Sequence, residues 1–351
     1  MNTTSPPIPI ILSMDVEPDS LRPDPHSREP WRGYEIGHAY FSQLRSLIEQ
    51  RTGSPAHFSW FLRMDPQIAE CYGSADWVTR RYASFLEEAS PAGDLLGVHP
   101  HAHLPGAGTR IWLPEQASPG LRRDSLSTSL QTFRQAFGRP CRVIRFGYAL
   151  SDALLELAER EGVRIELSLF PGVVGFIRHF GEDGRPWMRA VGSFLERPAK
   201  RHTAYFRMPR APYRPSRGEF RRADPAHGRN LTIIPLTIAP ARSLALRPLA
   251  SRIANLAGSG FRRTQYEVGL SLSEEYRRSD SFLEVLNRAL GLGSYLTFTT
   301  RSDLADPGVL ARVRARMEIL LDHPLRARFV FATPAEALAL LRCPMPAEPE
   351  H

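Results

Sequence analysis

Two short stretches of this 351-residue chain concentrate side chains that could do chemistry. The first, "SMDVEPD", closes an apolar run and carries Asp15 and Glu17 two positions apart, so that in extended chain both carboxylates project to one side. The second, "GVHPHAH", sets His99, His101 and His103 within five positions of a chain that holds 11 histidines in all. Along an extended backbone the three share a side, whereas in a helical turn His99 and His103 share a face. Pro100 disfavours helix at His99 and favours a strand running into a turn. A loop cap or a solvated histidine-rich loop is the plain reading of either stretch alone. Together they offer what a catalytic zinc-type site requires, two imidazoles and a carboxylate around an open fourth position. Such an ion lowers the pKa of a bound water to about 7 and polarises a carbonyl, and a second, non-ligating carboxylate can take the proton.

The elements that must position these residues are legible as alternating patterns. Apolar runs rich in Ile, Val, Phe and Thr recur at 8–16, 56–62, 94–99, 141–146, 163–170, 231–239, 295–300 and 328–333. They do not alternate strictly, which fits strands buried on both faces. Helical patterns fall between them at Tyr34–Arg51, Trp77–Ala89, Ser125–Ala136, Ser151–Glu161, Ser279–Leu290 and Gly308–Asp322. A last helix is announced by Thr333 as N-cap, Pro334 at its first position and Glu336 completing a capping box. Strands alternating with helices predict a mostly parallel sheet, and seven or eight such units predict a closed barrel. Stretches 17–33 and 208–230, rich in proline and charge, are expected to cover one mouth. In such a barrel chemistry belongs at the C-terminal ends of the strands, where both motifs fall.

Composition narrows the classes further. Hydrophobic residues make up 42 % and charged residues 23 %, ordinary values for a globular chain with a sizeable core. The net charge of +8 comes from basic residues that are all arginine except Lys200 and that are scattered among acids, as in "RRTQYEVGLSLSEEYRR". That pattern reads as solvated surface, and no nucleic-acid partner is expected. Three cysteines without a C-x-x-C pair argue against a disulfide framework or a cysteine zinc site. The N-terminal "IPIIL" is too short for a signal peptide or a span, and no other run reaches membrane length. A cytoplasmic location without stable membrane insertion is the expectation.

In order along the chain, "SMDVEPD", "GVHPHAH" and "IRFGYALSDALLELAEREGV" resemble the polysaccharide deacetylase family (NodB-homology domain), over roughly residues 8–340. The resemblance implies an α/β fold, a distorted (β/α)7-type barrel with long loops over one mouth. Residues 1–342 would form that single domain and 343–351 a loose tail. It also implies one divalent metal, Zn2+ for preference, with Glu17, His99 and His103 as its ligands and Asp15 as general base. His101 is then a neighbour outside the ligand set, and Arg145, in "RFG", pairs with Asp15. "FSWFLRMDPQIAECYG" and "PYRPS" resemble a branch related to glycan assembly, which offers Trp60 and Arg63, near Asp65, as substrate-binding residues.

Two positions depart from the family pattern. Val16 separates the two acids, and Arg301, in "YLTFTTRSDL", stands where the family places a histidine that protonates the leaving amine. Arginine stays protonated and serves instead to bind an anionic group or an oxyanion, which makes His101 the next candidate acid. The expected activity is metal-dependent removal of an N-acetyl or other acyl group from a small-molecule, nucleotide-linked or lipid-linked sugar. A catalytically impaired homologue that binds a glycan or partner, and a hydrolase of cyclic amides or ureides, are the alternatives.

Overall fold

The first strand, β1 (Ile8–Val16), is buried along its whole length, as an unbroken apolar run requires of a strand covered on both faces. The computed structural model to which it belongs describes residues 5–19, 31–105, 112–114, 118–147, 150–171, 208–240, 267–273, 281–304 and 306–343. After β1 come α1 (Arg32–Thr52), β2 (Phe58–Leu62), α2 (Pro66–Tyr72), α3 (Trp77–Arg81), α4 (Ala83–Ala89) and β3 (Leu95–Val98). A short hairpin, β4 (His103–Pro105) and β5 (Trp112–Pro114), precedes α5 (Pro119–Phe137), β6 (Val143–Ile144), α6 (Asp152–Arg160) and β7 (Ile165–Glu166). The chain continues through β8 (Thr232–Ile233), β9 (Ile238–Pro240), β10 (Glu267–Gly269), α7 (Phe282–Leu292) and β11 (Leu296–Arg301). It closes with α8 (Pro307–Leu321), β12 (Phe329–Phe331) and α9 (Pro334–Leu340).

The main sheet runs β11-β1-β2-β3-β6-β7-β8, with β12 also paired to β1, and every ladder in it is parallel. It curls into a partial barrel with helices outside, the α/β distorted barrel expected. Ile11, Phe61, Val143, Ile165, Leu167, Ile234 and Tyr295 pack together on the inner face. Ile10, Leu12, Met14, Phe58, Trp60 and Leu62 face the other way, into the layer shared with the helices. This two-sided burial is why the strands do not alternate polar with apolar.

Among the described residues no ladder joins β8 to β11. That seam is stitched by side chains. The Thr237 N–H donates to Thr297 Oγ1 at 2.6 Å and the Thr297 N–H to Thr237 Oγ1 at 2.9 Å, while the Tyr295 hydroxyl donates to the Pro235 carbonyl at 2.6 Å. The proline-rich stretch at 208–230 runs beside this edge, with Tyr213 bridging Ile233. Most of the other loop expected over the mouth, residues 20–30 of 17–33, lies outside the described residues. The capping box of the last helix forms as read, with Thr333 Oγ1 accepting from Glu336 N and the Glu336 carboxylate accepting from Thr333 N. Among the described residues no helix is long and apolar enough to cross a membrane.

Candidate metal centre

β1, β3 and β11 bring their C-terminal ends to one mouth because their ladders are in register there. Asp15 lies opposite Phe61 on one side and Arg301 on the other, and His99 continues the β2–β3 pairing by donating its N–H to Leu62 O at 2.8 Å. Glu17, one step beyond β1, is clamped by Ser302, whose hydroxyl accepts from Glu17 N at 2.7 Å and donates to Glu17 O at 2.8 Å. Asp15 and Glu17 are each 2 % exposed.

Three donor atoms converge at this mouth. Glu17 Oε1 is 2.9 Å from His99 Nε2 and 3.0 Å from His101 Nε2, and the two imidazole nitrogens are 2.9 Å apart. His99 Nδ1 lies 2.8 Å from the Arg145 carbonyl, which can only accept, so Nδ1 carries the proton and Nε2 presents its lone pair. Burial first, and then the positive charge of Arg63, holds the His101 pKa well below its ordinary value. The Glu17 pKa is also held well below the carboxylate range: burial opposes this, but the contacts to His101 and His99 outweigh it. Two imidazole nitrogens and a carboxylate oxygen thus converge within about 3 Å of one another in a buried space. A cation relieves that arrangement, and ligands at 2.0–2.1 Å from a tetrahedral ion lie about 3.3 Å from each other. The residues fit a divalent ion with only a few tenths of an ångström of adjustment.

This set differs from the expected one. Among the described residues it is His101, two positions from His99, that stands with Glu17 and His99, where the resemblance names His103. His103 opens the β4–β5 hairpin, and its side chain lies outside the described residues. Gly147 explains the other half of "RFG": a Cβ there would meet His101 Nε2 at 2.2 Å, so only glycine leaves room for the ring.

Asp15 and Arg145 meet as expected. Arg145 Nε donates to both carboxylate oxygens, at 2.7 and 2.9 Å, and its Nη1 donates to Leu167 O at 2.8 Å. Asp15 Oδ2 is 3.8 Å from His99 Nε2, beside the donor cluster but outside it. Arg301 reaches the same mouth, where Nη2 donates to Glu17 Oε2 at 3.1 Å and to Asp303 Oδ2 at 2.6 Å. Burial works against its charge, but Glu17 and Asp303 hold it protonated. Asp303 is pushed up by burial and by the charge of Glu17, with Arg301 opposing.

Two expected substrate contacts are placed elsewhere. Trp60 is 5 % exposed, donates Nε1–H to Asp94 Oδ2 at 2.8 Å and packs on Tyr34 and Phe41 in the helix-facing core. It faces away from the mouth because it sits on the opposite side of β2 from Phe61. Arg63 is 1 % exposed and is held by Asp65 and Gln67. Its role is to carry Asp65, whose carboxylate caps α2 through Gln67 N and accepts the backbone N–H of His101 at 3.0 Å. No local sequence pattern marks Gly147, Ser302 or Asp303 as a site residue, whereas "DP" before a helix is an N-cap signal that points to Asp65.

No family model and no curated protein matches the sequence. Solved structures do match. A protein described as a polysaccharide deacetylase from Mycobacterium smegmatis superposes with a TM-score of 0.51 at 12 % identity, covering 99 % of this chain and 96 % of that one. The fold is that of the polysaccharide deacetylases. An allantoinase shares it (TM-score 0.51, 10 % identity, 99 % and 96 % covered). So does a protein described as a glycoside hydrolase/deacetylase from Parabacteroides distasonis (TM-score 0.51, 11 % identity, 97 % and 73 % covered). In this deacetylase-type barrel the donor cluster occupies the C-terminal mouth of the strands, where barrels carry their chemistry.

Proposed function

We propose that the protein is a divalent-metal-dependent hydrolase that removes an acyl group from an amide nitrogen of a sugar or sugar precursor. The observation that carries this reading is the convergence of Glu17, His99 and His101 beside the Asp15–Arg145 pair. The structural neighbours, described as deacetylases and an allantoinase, support hydrolysis of non-peptide C–N bonds. Glu17, His99 and His101 hold the ion, with Zn2+ suited to a nitrogen-rich donor set. When bound it polarises the acyl carbonyl and acidifies water.

The chain's own residues then have defined tasks. Asp15, fixed by the two bonds from Arg145, takes a proton from the attacking water as the C–O bond forms. The C–N bond breaks and the leaving nitrogen needs a proton. Arg301 cannot release one, and His101 is committed to the donor cluster, so Asp15 passes on the proton it has taken. Arg301 and Ser302 keep Glu17 in place.

The test is zinc stoichiometry of purified protein, followed by acetate release from N-acetylated sugars by the wild type and by Asp15→Asn. One ion per chain, turnover by the wild type, and retained zinc with lost turnover in Asp15→Asn are expected. A zinc-loaded wild type that binds these sugars without releasing acetate would make the protein a glycan-binding homologue, the reading that Arg301 favours through its lack of a transferable proton.

A further inference from the structure

Next to the donor cluster the mouth opens into a cavity of about 130 Å³ whose walls include Arg145, Arg301, Thr299, Ser273, Leu236 and Phe170. Neither guanidinium has all its nitrogens committed. Arg145 spends Nε on Asp15 and Nη1 on Leu167 O, while Arg301 spends Nε on Asp303 and Nη2 on Asp303 and Glu17. Arg145 Nη2 and Arg301 Nη1 have no hydrogen-bond partner among the described residues. Two pre-ordered donors of like charge therefore border one small cavity.

We infer that this cavity is a subsite for an anionic substituent, a carboxylate or a phosphate, on the molecule whose amide is cleaved. The inference rests on the proposed hydrolase reading for the word substrate, but not for the anion. Guanidinium N–H groups match the oxygen geometry of such anions and bind them through charge-assisted hydrogen bonds. Their carboxylate partners already hold both side chains, so little rotamer freedom is lost on binding. Leu236 and Phe170 line the same space and lower the local dielectric, which strengthens the attraction. The volume, a little under that of a cavity that admits benzene, suits a small substituent such as a carboxylate or a phosphate. With a divalent ion in place, two guanidiniums and the ion face Asp15, Glu17 and Asp303, which leaves one positive charge for an anion to neutralise.

Calorimetric titration of zinc-loaded protein with inorganic phosphate and, separately, with acetate tests this, using the wild type, Arg301→Gln and Thr299→Glu. Thr299→Glu places a carboxylate in the cavity without touching Glu17, and melting curves and zinc content confirm that each variant is folded and loaded. At least one anion should bind the wild type, and both variants should weaken it by about 10- to 100-fold. Tighter phosphate binding points to a phosphorylated substrate, and tighter acetate binding to an acidic one. Absence of binding overturns the inference. So does binding that EDTA abolishes while both variants leave it intact, since the anion then rests on the ion. Acetate release from neutral N-acetyl sugars without anion binding would sink the subsite and spare the hydrolase; the reverse would do the opposite.

Discussion

Replacing Gly147 by alanine should strip the protein of its metal affinity while leaving its fold. An ideal Cβ at this position lies 2.2 Å from His101 Nε2, 2.3 Å from Cδ2 and 2.7 Å from Cε1. Ordinary carbon contacts are about 3.5–4.0 Å, so the imidazole must retreat by more than an ångström. Its backbone cannot follow, because His101 N is held by Asp65 and His101 O accepts the Ser125 hydroxyl at 2.8 Å. The ring must turn, and Nε2 leaves its position 3.0 Å from Glu17 Oε1. Metal–ligand distances tolerate about 0.2 Å, so the ligand is lost outright. Disturbing a supporting residue typically costs 10- to 100-fold in affinity, and loss of a ligand should exceed that, to roughly 100-fold or more. Competition against a chromophoric chelator measures zinc affinity, and far-UV circular dichroism follows the fold. Gly120→Ala is the control: its Cβ would find nothing nearer than Ser118 Oγ at 3.8 Å, so affinity should not change. Wild-type zinc affinity in Gly147→Ala would remove His101 from the donor set.

Other expectations can be checked beside it. Glu17→Gln should keep the spectrum of the folded protein and lose its zinc by elemental analysis, because the carboxylate is the only anionic donor in the set. Asp65→Ala removes the carboxylate that balances the buried charge of Arg63 and leaves it only the Gln67 amide oxygen, so chemical unfolding should register a loss of about 3–5 kcal/mol. Glu166 is fully buried, and burial, only partly opposed by its Ser168 contacts, pushes its pKa from 4.5 up to about 7. A raised carboxylate contributes stability that is present below the unfolded value and lost as pH climbs through the folded one. The wild type should therefore lose about 3 kcal/mol between pH 4.5 and 7 from this group, a slope that Glu166→Gln should flatten in unfolding titrations. Parallel wild-type and variant curves would mean that Glu166 is ionised throughout.

Much of this architecture was legible because the inner strands are buried on both faces, and continuous apolar runs such as 8–16 then mark them without ambiguity. The short strands are narrower than their apolar runs: 141–146 and 163–170 hold two-residue ladders, with single backbone bonds continuing beyond them. Helix α2 escaped notice because its seven residues are too few for a periodicity, and only the Asp65–Pro66 pair marks its start. In the site, Asp15, Glu17, His99 and Arg145 were readable from spacing and resemblance together. Local geometry argues for His101 as strongly as for His103; the H-x-x-x-H resemblance points to His103, whose side chain lies outside the described residues, and among the described residues it is His101 that stands with Glu17 and His99. Trp60 and Arg63 sit near the right strand end, yet a strand's two faces lead to different places. Trp60 points to the helices, and Arg63 folds back on Asp65. Gly147 and Asp303 act through what they adjoin in space, and no local pattern announces that.

The missing ladder between β8 and β11 separates two properties that most sites bind together. The donors hang from β1 and β3, which are locked into continuous pairing with their neighbours. The cavity is walled by Leu236, Thr297 and Thr299 on either side of the seam, where threonine side chains stand in for backbone ladder bonds. Substitutions at Leu236 can reshape the cavity from the β8 side of this joint without loading the strands that hold the donors. Its β11 side, tied through Thr299 to Ser13 and through Arg301 to Glu17, moves only with them.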